Sequence, residues 1–76
     1  IEMEDGFSII KMHPPRDVQG FAISESRVRE RFGVTIIGVK SPGHPFEYTK
    51  PETHIGPEDI IIVSGDSDLL EAFANR

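Results

Sequence analysis

Apolar and polar positions divide this chain into short elements. Phe7-Ser8-Ile9-Ile10-Lys11-Met12 has the composition of a strand, and His13-Pro14-Pro15 ends it, because proline has no N–H to give to a ladder. A loop is expected from Arg16 to Ala22, with Gly20 available for an unusual backbone angle. From Ile23 to Gly33 the pattern predicts one helix. Val28 and Phe32, four apart, make its apolar stripe. Ser24 is placed to cap it, Ile23 to pack on Val28 as a staple, and Gly33 to close it in the left-handed region. Glu25 and Arg29, at i and i+4, are expected to pair.

Val34-Thr35-Ile36-Ile37-Gly38-Val39-Lys40 is β-branched at most positions and reads as a central strand. Pro42-Gly43 suits the middle of a type II turn, after which Phe46-Glu47-Tyr48-Thr49 alternates as an edge or hairpin strand does. Lys50 to Glu58, interrupted by Pro51, Gly56 and Pro57, is a loop. Asp59 to Gly65 predicts a second strand, buried on both faces, and a final helix opens at Asp66-Ser67-Asp68 and turns Leu69, Leu70 and Phe73 inward. The order β-α-β-β-β-α predicts a compact α+β domain with a mixed sheet. Residues 1–6 are acidic and are expected to be a linker or frayed N-terminal end, leaving 7–76 as the domain. The first residue, Ile1, suggests a piece of a longer polypeptide or a processed product.

Composition narrows the function classes. A chain of 76 residues buries only roughly 60% of the surface its unfolded form exposes, and with no cysteine it has no disulfide to compensate, so burial against a partner is expected. The longest apolar run, Ile60 to Val63, falls far short of the roughly 20 residues of a spanning helix, and no cationic-then-apolar leader opens the chain. A soluble domain is expected. A net charge of −5 argues against nucleic acid as a partner, since that binding neutralises phosphates with Lys and Arg. Basic residues do concentrate locally at Arg27, Arg29 and Arg31, enough to hold a small anion.

Catalytic and metal chemistry find little to stand on. His13, His44 and His54 match no helical or hairpin metal motif, and no nucleophile elbow surrounds Ser64. Asp66, Asp68 and Glu71 lack the later ligands and turn glycine of a calcium loop, and helix capping accounts for both aspartates. The loops at Gly43 and Gly56 do not link a strand to a helix as a dinucleotide loop does. The chain is expected to be no enzyme, with no metal and no cofactor of its own. The arginine helix remains. Its residues alone favour a solvated face with Arg29 neutralised by Glu25; the position of Arg29 at the start of the Val34–Lys40 strand raises a second reading, a guanidinium fork beside Val28 and Ile36 that pairs with a phosphate while the aliphatic groups hold a base.

The run Val28 to Lys40 resembles the helix-to-strand signature of the TrkA C-terminal domain, also called RCK-C. Ile55 to Gly65 resembles that family's acidic turn, apolar strand and terminal glycine. The resemblance extends from about Phe7 to Phe73. It implies a dimerising, cytoplasmic regulatory domain of a potassium channel or transporter, held at the inner face of the membrane by its transporter partner. It also implies an adjoining nucleotide-binding Rossmann domain in the full protein. Subunits of cation/proton antiporters are a second setting for such domains, and a purely structural dimerisation module is a further alternative. In several relatives the dimer cleft binds cyclic di-AMP as a regulatory ligand. The positions that resemble those binders are Val28 and Arg29 at the end of the helix, Thr35 and Ile36 in the next strand, His44 in the hairpin and Pro51 beyond it. Thr35 stands where the binders carry asparagine, so a hydroxyl replaces an amide with two N–H donors and a carbonyl acceptor.

Overall fold

The computed structural model describes residues 1–76. Strand β1 (Phe7–Met12) leads through a 3-10 turn at Arg16–Val18 to helices α1 (Ile23–Ser26) and α2 (Val28–Phe32). Strands β2 (Val34–Lys40), β3 (Glu47–Tyr48) and β4 (Ile60–Asp66) follow, then helix α3 (Ser67–Ala74). The α+β class and the positions of strands and helices agree with those read from the sequence. The strands form one 4-stranded sheet in the order β1-β4-β2-β3.

Every pairing in the sheet is antiparallel, which corrects the expected mixed sheet. The cause is the place of β4. Strands β1 and β2 run the same way and are joined through the helices, as the strands of a parallel unit are, but β4 lies between them and pairs antiparallel with each. Along β4, Ile61, Val63 and Gly65 are buried while Ile60, Ile62 and Ser64 are half-buried. This strand is therefore fully covered on one face only, not on both. The helices and loops pack on one side of the sheet and leave the other partly open.

The covered side holds the core. Val34 and Ile36 of β2 and Ile61 and Val63 of β4 meet Val28 of α2 and Leu70 and Phe73 of α3. The Phe32 and Phe73 rings join the two helices at 5.1 Å between centroids, tilted by 49°. A bulge between Ile36 and Gly38 shifts the phase of β2, so that Ile36 and Val39 are both buried and Ile37 is turned out. Burial of each large core side chain contributes about 1.5–3 kcal/mol.

The single helix expected over Ile23–Gly33 is broken at Arg27, which takes φ 52 and ψ 42 and separates α1 from α2. Contacts made by α1 fix its place against the loop before β4. The N–H groups of Ile23 and Ser24 donate to the carbonyls of Thr53 and Pro51, each at 2.9 Å, tying the first turn to the loop before β4. Ser26 is buried, with its hydroxyl donating to the Ile23 carbonyl at 2.8 Å. Ala22, not Ser24, holds the N-cap position, and its N–H donates to the Glu25 carboxylate at 2.9 Å. Glu25 is thereby turned away from the expected pairing with Arg29.

Other local signals are realised. Gly33 closes α2 at φ 71, with its N–H on the Arg29 carbonyl at 3.0 Å. Gly43 has φ 80 in a turn closed by the His44 N–H on the Ser41 carbonyl at 3.0 Å. Asp66 caps α3 by accepting from the Asp68 N–H at 3.0 Å; Leu70 and Phe73 are buried, but Leu69 stays half-exposed. Residues 1–6 do not trail away as a frayed end. Ile1–Met3 lie back along β1, with the Ile9 N–H on the Ile1 carbonyl at 2.8 Å and the Met3 N–H on the Phe7 carbonyl at 2.6 Å. Backbone pairing along an otherwise open edge holds this segment, while its side chains remain exposed. No helix is long and apolar enough to cross a membrane.

Candidate functional site

Strand β3 is so short that it pairs only with Gly38 and Val39 of β2. The chain then leaves the sheet, its last ties being those of Thr49, whose hydroxyl donates to the Ile36 carbonyl at 2.7 Å and whose N–H donates to the Ile37 carbonyl at 3.4 Å. The first half of β2 therefore has an uncovered flank. Between that flank, α2 and the segment Tyr48–Pro51 lies an open groove of about 730 Å³. Pockets for small organic ligands fall in the same range, about 300–1,000 Å³. Its floor is aliphatic, with Val28, Val34 and Ile36 at the bottom and Ile23 and Ile37 at the margins. Arg29 and Glu30 line it from α2, and Tyr48, Lys50 and Pro51 from the segment that follows Glu47.

Five of the residues singled out in the sequence, Val28, Arg29, Thr35, Ile36 and Pro51, line this one groove. His44 does not. It follows the Pro42-Gly43 turn and sits in a separate depression with Val39, Pro45 and Glu47. Tyr48 and Lys50 were not identified from the sequence. The alternation of Phe46–Thr49 separates the two faces of that segment, but only the non-local pairing of β3 with β2 brings Tyr48 and Lys50 to the groove that Arg29 lines.

The three clustered arginines have separate tasks. Arg31 donates to the Ser26 carbonyl at 3.2 Å and to Asp17 Oδ2 at 3.3 Å, and lies over the Phe32 ring at 4.7 Å from its centroid. Arg76 covers the same ring at 4.4 Å and also hydrogen-bonds Asp17. The hydrogen bond from Arg76 holds the Asp17 carboxyl below the usual aspartate range, and Asp17 in turn raises Arg76 above the usual arginine value. Arg27 holds the left-handed turn between α1 and α2, with its side chain exposed and outside the groove. Both ion pairs of the chain are on Asp17, so Arg29 reaches the groove with its charge uncommitted. A guanidinium beside an apolar floor can hold a phosphate next to a hydrophobic group.

Metal ligation has no comparable arrangement. His13 Nδ1 is 3.2 Å from the Asp59 carbonyl, His54 Nδ1 is 3.2 Å from the Glu52 carbonyl, and His44 lies apart. No group of three or more His, Cys, Asp or Glu side chains is placed to hold a metal ion.

The TrkA-C domain family model matches residues 8–76. The chain belongs to that family. This TrkA-C domain is 27% identical, over 76 residues, to the Ktr system potassium uptake protein A of Bacillus subtilis (strain 168), covering all of this chain and 34% of that protein. The domain is thus about a third of the length of that relative. Among solved structures, the RCK C domain of the potassium transport protein KtrA in complex with cyclic di-AMP superposes with a TM-score of 0.77. Its identity is 26%, over 93% of this chain and 84% of that one. The RCK_C domain dimer of S. agalactiae BusR in complex with cyclic di-AMP gives a TM-score of 0.68 at 24% identity, covering 92% and 90% of the two chains. BusR with its busA-promotor DNA also matches, with a TM-score of 0.74 at 21% identity, covering 99% of this chain and 40% of that one. The BusR likenesses show the fold alone.

Proposed function

We propose that this TrkA-C domain is a dimerising regulatory module of a potassium transport system. In this reading the groove at Arg29 is one half of a site for a two-fold symmetric, phosphate-containing nucleotide, with cyclic di-AMP as the leading ligand. The observation that carries it is the convergence of Val28, Arg29, Thr35, Ile36 and Pro51 on one groove with an aliphatic floor and an uncommitted guanidinium. The KtrA domain of the same fold, solved with cyclic di-AMP, supports the choice of ligand. A dimer would bring two Arg29 side chains to two phosphates, as an isologous interface requires. The ligand would then bias the transporter through its difference in affinity between two arrangements of the protomers.

The other components of this reading are an adjoining Rossmann domain in the full protein, a membrane potassium channel or transporter as the partner, and a place at the inner face of the membrane. The relative's greater length leaves room for the first of these. No catalytic step is assigned to the domain, and its net charge of −5 favours a protein partner over nucleic acid. A module that only dimerises is the competing reading, and the position of His44 outside the groove favours it.

Calorimetry with this chain and cyclic di-AMP separates the two. Micromolar binding that Arg29→Ala weakens by about tenfold or more supports the sensing role. Absence of heat at micromolar ligand, or binding indifferent to Arg29→Ala, leaves the dimerisation module.

A further inference from the structure

Exposed apolar side chains gather on the face of the sheet away from the helices. Residues directly opposite each other in an antiparallel ladder point to the same side. Ile60, Ile62 and Ser64 of β4 alternate with the buried Ile61, Val63 and Gly65, and so lie on the open face. Their ladder partners lie there with them: Ile9 and Lys11 of β1, and Thr35, Gly38 and Lys40 of β2. Tyr48, opposite Gly38, carries the face across β3, and Phe7, opposite Asp66, continues it along β1. The first residues widen it further. Their hydrogen bonds with Phe7 and Ile9 set Glu2 opposite the buried Ser8, which puts Ile1 and Met3 on the side of Phe7 and Ile9. Of the eight large apolar side chains that are exposed, Ile1, Met3, Phe7 and Tyr48 share this face, with Ile9, Ile60 and Ile62 half-buried among them. Exposure gathered in this way marks a contact surface, where scattered exposure would mark nothing.

Charge on the face is sorted by end. Lys40, opposite Ile60, and Lys11, opposite Ile62, stand where β4 begins. Asp66 stands where β4 ends, and the turn that carries the exposed Glu4 and Asp5 leads into its ladder partner Phe7. None of these five side chains is engaged in an ion pair within the chain, since both pairs are on Asp17. About 20 Å of extended strand separates the basic end from the acidic one.

We infer that the open face is a contact for a second copy of this chain, laid face to face with its strands running the opposite way. The inference goes beyond the proposed function, because it adds a contact on the side of the sheet opposite α2, through which two dimers formed at the Arg29 groove would join. A surface of one sign calls for a partner of the other sign. A surface with both signs, one at each end, is complementary to itself when turned around. A two-fold axis crossing the strands at mid-face lays β4 over β4 and brings Lys11 and Lys40 of each copy to the acidic end of the other. The same copies stacked with their strands parallel would set lysine over lysine. Between the charged ends the apolar side chains of the two faces lose water to one another, as the inner faces of a β-sandwich do.

Sedimentation of the chain over a range of concentrations tests the contact. Two double variants make the ends of the face alike: Lys11→Glu with Lys40→Glu turns the basic end acidic, and Glu4→Lys with Asp5→Lys turns the acidic end largely basic. Each alone is expected to associate through this face about tenfold more weakly than the wild-type chain, or worse, because like charges then meet. An equimolar mixture of the two is expected to recover the association, since acidic ends now meet basic ones. Recovery also shows that both variants are folded.

Wild-type association that neither variant weakens would overturn the open face as the contact and leave a dimer at the groove standing. Weakened association that mixing does not restore would overturn the opposed arrangement. A wild-type chain that stays monomeric at hundreds of micromolar would overturn the contact altogether, while calorimetric binding of cyclic di-AMP by that monomer would leave the sensing role in place.

Discussion

The Gly33 backbone and the Leu69 side chain are so close that a Cβ at Gly33 would stand 2.8 Å from Leu69 Cδ1. Gly33 also holds φ 71, a region that costs other residues roughly 1–2 kcal/mol. The two penalties differ in kind. Leu69 is half-exposed and can swing its tip away, whereas the backbone angle is set by the turn from α2 into β2. Gly33→Ala is therefore expected to destabilise by about 1–2 kcal/mol in urea unfolding, mainly through the backbone. Shortening Leu69 to Ala in the same chain should restore little of that loss; a full rescue would show that the clash dominates.

Arg27 supplies the opposite experiment. Its left-handed angle is a strained one for a residue with a Cβ, and its side chain is exposed. Arg27→Gly relieves that strain while adding freedom to the unfolded chain, so stability is expected to hold or to rise by up to about 1 kcal/mol. Arg27→Val, β-branched at positive φ, should lower it. Equal stability in both variants, measured by chemical denaturation, would contradict the break at this position.

Asp17 makes acid stability predictable in sign. Its folded pKa is lowered from 3.8, chiefly by the hydrogen bond from Arg76, so the unfolded chain binds this proton more readily than the folded one does. The stabilisation is present in full above the unfolded value. It declines as the pH falls past 3.8 and is gone below the lower folded value. Asp17→Asn should flatten that part of the acid limb and leave neutral-pH unfolding less sensitive to salt, because the pair is partly exposed and screened. An unchanged acid limb would show that the pair is not maintained in solution.

Phe73 tests how narrow the margin is. It is 1% exposed and stacks with Phe32. Phe73→Ala is expected to cost about 3–5 kcal/mol, a large share of what a chain of 76 residues has to lose. Loss of the cooperative thermal transition in circular dichroism is the expected outcome.

Much of the architecture was readable where a short segment decides its own conformation. The prolines after Met12, the left-handed glycines at Gly33 and Gly43 and the cap at Asp66 act within a few residues, and each appears where its chemistry places it. The break at Arg27 was not readable, because no glycine or proline marks it. The short helix before it is tied to Thr53 and Pro51, nearly thirty residues further along the chain, by the N–H groups of Ile23 and Ser24. Sheet order was hidden for the same reason: nothing near β1 or β2 indicates that β4 will lie between them. At the groove, Val28, Arg29, Thr35 and Ile36 are neighbours along the chain, and their convergence is nearly local. Tyr48 and Lys50 reach them only through the pairing of β3 with β2, and in the sequence they look like any exposed polar positions.

The position of β4 between β1 and β2 also bears on how the chain is made. Phe7–Met12 has no neighbour in the sheet proper until Ile60–Asp66 has been synthesised, and the inner edge of Val34–Lys40 waits for the same strand. While the chain is emerging from the ribosome, the apolar faces of β1 and β2 are without their partner, and the native β2–β3 pairing, two residues deep, is too small to persist alone. Acquisition of the fold should thus be a late, single event that awaits the last strand. A nascent chain halted before Ile60 should remain open to protease, and one released after α3 should close at once over nearly its whole length.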